Sequence, residues 1–376
     1  MLARLLNRVL LAVPTLLGLT LLVFLLVSFS PGGVSGGLAA ALGGGEGGEG
    51  GRDVRRIQYL EERYGLHKPV LVQYANWLGQ LSPIKLGAAP QNPDREGGAS
   101  PASGITLIPN TLRLAWPDLG FSFMRNQPVS TCLREAIGVT LLLNTLAYTL
   151  MYAVAVPAGI LSAAKRGTWI DRGISGTFAL LWSVPSVCMA VILVGVFASR
   201  DMLGWFPSGE LHSADAPSMP FLPSFDGAGR FVPGWALDSA HRLVLPVLCQ
   251  AYGGIAIVTR LVRLGVLDNL GAPFVRTARA KGLPERDVVV YHAFRAGMLP
   301  LVTVFGATLP AMLSGSVVVE KVFSLPGMGS LVLEAVSLRD RELLMGTTLV
   351  AGVLTVLGVL VADVLYQVLD RRTRRA

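Results

Sequence analysis

Residue types that commonly carry chemistry are sparse in this chain. Its four histidines are His67, His212, His241 and His292, and its three cysteines are Cys132, Cys188 and Cys249. Neither set has the spacing of a metal site, a redox pair or a disulfide framework. No catalytic residues, no metal and no cofactor are therefore expected. A lone loop histidine of this kind is expected to be a solvated side chain. None of the five lysines is followed by Ser or Thr, so the chain has no Walker-type phosphate loop and no nucleotide hydrolysis by that route. Acidic residues avoid the apolar runs. Glu320 and Asp363 fall only at their ends, where a solvated structural role is expected rather than a proton relay.

The elements that must position these residues are membrane helices. Of 376 residues, 52% are apolar and only 15% charged, with a mean hydropathy of +0.56. A soluble domain carries about 25% charged residues, so an ordinary soluble enzyme and a disordered chain are both excluded. Crossing the hydrocarbon takes about 20 helical residues. Six uncharged runs approach or exceed that: Val9–Phe29, Ala136–Ala164, Gly173–Ser199, Leu243–Thr259, Ala296–Val319 and Leu343–Ala362. The first is longer than the apolar part of a signal peptide, about 7–15 residues, and reads as an uncleaved helix.

Six spans put both termini on one side. With the termini in the cytosol, the inner segments hold 16 of the 32 basic residues and 6 of the 24 acidic ones. The inner net charge is then +10 and the outer −2, out of +8 in all. Inner basic residues also sit in short loops next to helix ends, where the orientation rule operates. The basic balance thus follows from topology and requires no nucleic-acid partner. The protein reads as a multi-pass protein of the cytoplasmic (inner) membrane, in contact with lipid, with N- and C-termini cytosolic.

The chain divides into 1–30, the first transmembrane helix; 31–135, an external segment; 136–370, a five-helix core; and 371–376, a basic cytosolic tail. In the external segment Gly36–Gly51 is glycine-rich. Arg55–Tyr64 and Gln73–Leu81 read as short helices, and Gly87–Asp118, with five prolines, as irregular structure. Two further outer loops, Arg200–His241 and Glu320–Glu342, separate the later runs. Pro14, Pro157, Pro185, Pro246, Pro300 and Pro310 lie within runs, where each removes a backbone hydrogen bond and can bend its helix. The long cytosolic loop 265–295 reads as a helix around Phe274–Lys281, a break at Gly282-Leu283-Pro284, and a helix resuming over Val288–Phe294.

That loop carries a resemblance. Phe274-Val275-Arg276-Thr277-Ala278-Arg279-Ala280-Lys281-Gly282-Leu283 resembles the cytosolic signature of ABC-importer permeases of the dipeptide/oligopeptide group, approximately Y-V-R-T-A-R-A-K-G. The general importer form is E-A-A, three residues, then Gly; Arg276 and Thr277 depart from it but match the peptide group. His292-Ala293-Phe294-Arg295 is similar to the group's H-A-x-R. Leu21–Gly33, Tyr64–Leu66, and Phe323–Gly329 with Arg339-Asp340 resemble other parts of the family. The Pro31-Gly32-Gly33 exit is most similar to the branch importing oligopeptides and microcin C-type peptides.

The resemblance implies an all-α membrane protein of type I importer architecture. It implies a second, similar permease subunit, two cytosolic ABC ATPase subunits that hydrolyse the ATP, and an external solute-binding protein. It also implies that Arg276, Thr277, Ala278, Arg279, Ala280, Lys281, Gly282 and Leu283 couple the permease to an ATPase subunit. In that reading Ala278 and Ala280 pack closely in the partner's cleft, and Arg276, Arg279 and Lys281 pair with its carboxylates. The translocation path would lie among spans two to five. Asn144, Thr145, Gln250 and Thr303 are its candidate polar lining, each also able to serve as a hydrogen-bond partner between helices. An ion-gradient-driven secondary transporter is the alternative, and it calls for intramembrane carboxylates or an internal repeat.

Overall fold

The computed structural model describes residues 2–29, 68–82, 84–85, 105–108, 112–114, 117–122, 124–225 and 231–369. The Gly36–Gly51 stretch, the helix expected over Arg55–Tyr64, and the basic tail lie outside them. The chain forms two compact units, 1–134 with 331–353, and 135–330 with 354–376.

Among the described residues four helices are long and apolar enough to cross a membrane: Leu10–Phe29, Val129–Ala164, Gly234–Leu270 and Arg341–Val364. The six expected spans are not each one unbroken helix. The third run is broken into Trp169–Ser183 and Ser186–Ala198, bent by 101°. Pro185, which has no N–H to continue the ladder, caps the second half. The freed Val184 carbonyl accepts the Tyr252 hydroxyl at 2.7 Å, so the broken backbone is satisfied from a neighbouring helix. The fifth run is also divided. Its helix Leu299–Ser314 has 16 residues. The chain then turns at Gly315, φ +77°, into a second helix, Val317–Val322.

Other boundaries shift as well. The fourth helix runs over 37 residues, Gly234–Leu270, so it starts inside the expected outer loop and ends inside the expected cytosolic one. Glu320–Glu342 is largely helical, with Met328–Ser337 preceding the last helix. The expected helix over Gln73–Leu81 is found as Val70–Leu81. Gly87–Asp118 is not wholly irregular. Ile105–Ile108 and Leu112–Leu114 pair antiparallel, and Ile84–Lys85 adds a third strand, with Ile105 and Ile84 both facing Leu114 in register. The β-prone residues of these segments outweigh the prolines around them.

In the first unit, the initial helix leaves most of its leucines outward, Leu26 at 65% exposure, as a lipid-facing helix must. One stripe turns inward. Phe24 is fully buried, edge-on to Tyr74 with ring centres 5.3 Å apart, and the Arg341 guanidinium lies 4.2 Å from its centroid. Thr20 and Tyr74 share a hydroxyl bond of 2.9 Å. Asp340 caps the last helix, accepting the Leu343 N–H at 3.0 Å on one oxygen and the Ser122 hydroxyl at 2.6 Å on the other. Burial pushes the Asp340 carboxyl above the usual carboxylate range, against these two bonds. A raised carboxyl favours the folded state at low pH and loses that contribution as pH rises through the folded value. Asp340→Asn, which keeps the cap oxygen, should therefore be neutral or stabilising at pH 7 and, with the low-pH contribution of this carboxyl gone, steepen the acid limb of a melting-temperature profile. Asp340→Ala should cost about 1 kcal/mol from the lost cap.

In the second unit, small residues bring backbones together. A Cβ on Gly159 would lie 2.7 Å from the Thr259 carbonyl, and one on Gly265 would lie 2.6 Å from that of Gly297. These contacts pack helix Gly234–Leu270 against Val129–Ala164 and against the segment before Leu299, as small residues do between membrane helices. An ion pair between buried Asp171 and half-buried Arg263 ties three helices at one end. Arg263 grips Asp171 with two bonds, 2.8 and 2.9 Å. Asp171 also accepts the Ser162 hydroxyl at 2.6 Å and the Gly167 N–H at 2.9 Å. Asp171→Ala would strand these donors around a buried acceptor site, and a loss of about 2–3 kcal/mol is expected. Thermal unfolding in detergent checks it.

Candidate functional site

The helix expected around Phe274–Lys281 spans Pro273–Ala280, with Pro273 in its first turn, where the missing N–H costs nothing. It ends in a Schellman motif. Gly282 N–H bonds the Arg279 carbonyl at 2.9 Å, and Leu283 N–H the Ala278 carbonyl at 3.4 Å. That motif needs a left-handed residue, and Gly282 has φ +78°. No atom lies within 4 Å of where its Cβ would be, so glycine is required there by conformation and not by space. Gly282→Val should add about 1–2 kcal/mol of backbone strain and fray the helix end. Gly282→Asn, which tolerates the left-handed region, should be milder. Hydrogen exchange of the loop amides would separate the two.

The helix has two faces. Val275 (fully buried) and Ala278 pack into the chain's own core with Val288, Val289 and Ala293. Arg276, Thr277, Arg279, Ala280, Lys281, Gly282 and Leu283 are exposed. The structure places Ala278 inside this chain, while Ala280 is outward. The spacing of 275 and 278, one helical turn, carries the signal. Arg279 is likewise engaged within the chain. Its Nε and one terminal nitrogen meet the Glu285 carboxylate at 3.1 and 2.6 Å. The hydrogen bond from Arg279 holds the Glu285 carboxyl below the usual range, so the pair is ionised at neutral pH. After Glu285–Asp287, Val288–Phe294 continues as a π-helical segment, with Tyr291 outward.

The polar residues of the spans separate. Asn144 is buried. It donates to the Met312 carbonyl at 2.8 Å and accepts from Gln250 at 3.0 Å, a bond chain between three helices. Thr145 and Thr303 are exposed. The structure thus groups Asn144 with Gln250.

Glu320 departs furthest from expectation. It is fully buried, not solvated. One carboxyl oxygen accepts the Thr140 hydroxyl at 3.0 Å and the Ser316 N–H at 3.2 Å, and the other accepts the Ser330 N–H at 2.9 Å. Thr140 in turn accepts the Met328 N–H at 2.8 Å. Gly315, Gly327 and Gly329 surround the carboxylate so closely that a Cβ on any of them would come within 3.0 Å of it. Those flanking glycines were the available signal in the sequence. Asp363 is half-buried within the last helix, short of its end. Of the histidines, His241 is exposed, as expected, and His212 is half-buried. His212 shares a 2.8 Å bond with Ser239 and lies against Trp235, and His241 reaches the Trp205 carbonyl at 3.0 Å. His67 lies outside the described residues.

These features define a helical, multi-pass membrane protein with a capped, basic helix outside its spans. The family of binding-protein-dependent transport system inner membrane components matches residues 155–375. The chain is 31% identical over 378 residues to the oligopeptide transport system permease protein AppB of Bacillus subtilis, covering 99% of each. It is 32% identical to a putative peptide transport system permease protein of Brucella abortus, over 100% of this chain and 99% of that one. It is also similar to a chain of the inward-facing MetNI methionine ABC transporter, at 17% identity and a TM-score of 0.46, covering 64% of this chain and 98% of that one. The chain belongs to the binding-protein-dependent transport system inner membrane component family and is a permease subunit.

Proposed function

We propose that this permease forms half of the path by which an ATP-driven importer carries peptides across the cytoplasmic membrane. The observation that carries the reading is the Pro273–Ala280 helix. It is rigidly based on Val275 and Ala278, capped at Gly282, and basic on its outward face, in a chain similar along its whole length to peptide permeases. In this reading the outward face of the helix, Arg276, Thr277, Ala280, Lys281 and Leu283, docks on a cytosolic ATPase subunit. A second permease completes the path, two ATPase subunits hydrolyse ATP, and an external solute-binding protein delivers cargo. Both termini then lie in the cytosol, as the charge distribution favours. ATP-driven closure of the ATPase pair moves the helix, and its buried base passes the movement to the π-helical segment and the spans. Such switching requires nucleotide states that differ in affinity for the two conformers.

The test is a mild-detergent purification of the chain co-expressed with its neighbouring genes, followed by ATP hydrolysis and uptake in proteoliposomes. Co-purification of ATPase subunits and a second permease, with ATP-dependent uptake of labelled oligopeptides, is expected. Uptake that follows a proton or sodium gradient without ATP would transfer the function to the secondary-transporter class.

A further inference from the structure

The turn after the Pro273–Ala280 helix is a weak point for any device that transmits movement. Gly282 sits in open space with φ +78°, and glycine has more conformational freedom than any other residue. A push on the helix could be absorbed there. Arg279 spans this turn. Its two-pronged contact with Glu285 joins the last helical turn to the residue that begins the run toward Val288–Phe294. Its remaining terminal nitrogen reaches back 3.4 Å to the Leu270 carbonyl, at the end of helix Gly234–Leu270. One guanidinium therefore touches all three segments that meet at the loop. Both partners stay solvent-accessible, with side chains 41% and 63% exposed.

We propose that Arg279 is a positioning residue that works inside this chain: with Glu285 it staples the loop across the Gly282 turn, so that displacement of the short helix is carried into the 285–294 segment. This replaces the sequence-based expectation that Arg279 pairs with a carboxylate of the ATPase subunit, and it rests on the docking reading above. An ion pair this exposed adds little to fold stability, so its effect belongs in coupling and not in melting. The bidentate geometry is specific to a guanidinium, and a lysine would keep the charge but lose the fork.

The complete transporter, reconstituted with its ATPase subunits, tests this. The readouts are retention of the ATPase subunits on purification and uptake of a labelled oligopeptide mixture per ATP hydrolysed. Arg279→Glu and Glu285→Arg should each lower uptake per ATP at least five-fold, with the ATPase retained and the melting temperature unchanged. The double reversal Arg279→Glu/Glu285→Arg should recover to within two-fold of the parent, and Arg279→Lys should be intermediate. If the double variant is no better than the singles, or the singles have no effect, the staple is wrong. Loss of ATPase retention in Arg279→Glu alone, unrescued by Glu285→Arg, would place Arg279 at the partner interface and leave the docking reading standing. The docking reading itself fails separately, if Arg276→Glu and Ala280→Glu leave both retention and uptake at parental levels.

Discussion

Replacing Glu320 with alanine is expected to destabilise the protein by about 4 kcal/mol or more. Three donors, the Thr140 hydroxyl and the Ser316 and Ser330 N–H groups, lose their acceptor in a fully buried site. Each buried donor left unpaired costs about 1–3 kcal/mol, and the vacated volume adds a cavity cost. Glu320→Gln preserves the volume but offers one acceptor oxygen in place of two, so it should cost about 1–3 kcal/mol. Gly327→Ala should resemble the alanine variant, because its Cβ would lie 2.4 Å from the Glu320 side-chain carbon. Thermal unfolding of the detergent-solubilised protein reads all three. A solvated carboxylate at a helix end would give changes within about 0.5 kcal/mol, so the two accounts differ by several-fold.

The second large effect separates the two faces of the Pro273–Ala280 helix. Ala278→Glu forces a carboxylate into the cluster of Val275, Val288, Val289 and Ala293, where an unpaired charge has no compensation. A loss of about 3 kcal/mol or more is expected, with the helix detached from its base and ATPase association lost as a consequence. Ala280→Glu, two residues on but exposed, should leave the melting temperature within about 1 °C, because surface substitutions rarely exceed 0.5 kcal/mol. In the docking reading it adds a negative charge to the basic partner face and weakens association directly. Melting and ATPase retention measured together distinguish a fold defect from an interface defect.

The sequence-based reading and the structure part company where long-range packing decides. The loop 265–295 was legible, because its determinants are local: Pro273 fixes a helix start, Gly282 supplies the left-handed cap, and Pro284 prevents continuation. Ala278 could not be placed, since an alanine suits a partner's cleft and a core equally well. Its neighbours Val288 and Ala293 are ten and more residues away. Arg279 read as an interface charge because its partner, Glu285, becomes adjacent only when Gly282 reverses the chain.

The same division holds for the spans. Apolar runs and the clustered basic residues between them are written residue by residue, because the cost of a charge in hydrocarbon acts on each position alone. That sufficed for a multi-pass helical protein and for its family resemblance. Whether a run is one helix depends on what satisfies the backbone at its breaks. The Val184 break relies on Tyr252, 68 residues away, and the Gly315 turn relies on Glu320 and, through it, on Thr140. A hydrogen-bond partner that arrives from a distant helix leaves no local mark. The sequence by itself therefore determined the class, the topology signal and the short capped helix. Only the tertiary structure decided that Glu320 is an internal anchor, that Ala278 faces inward, and that two of the six runs are broken.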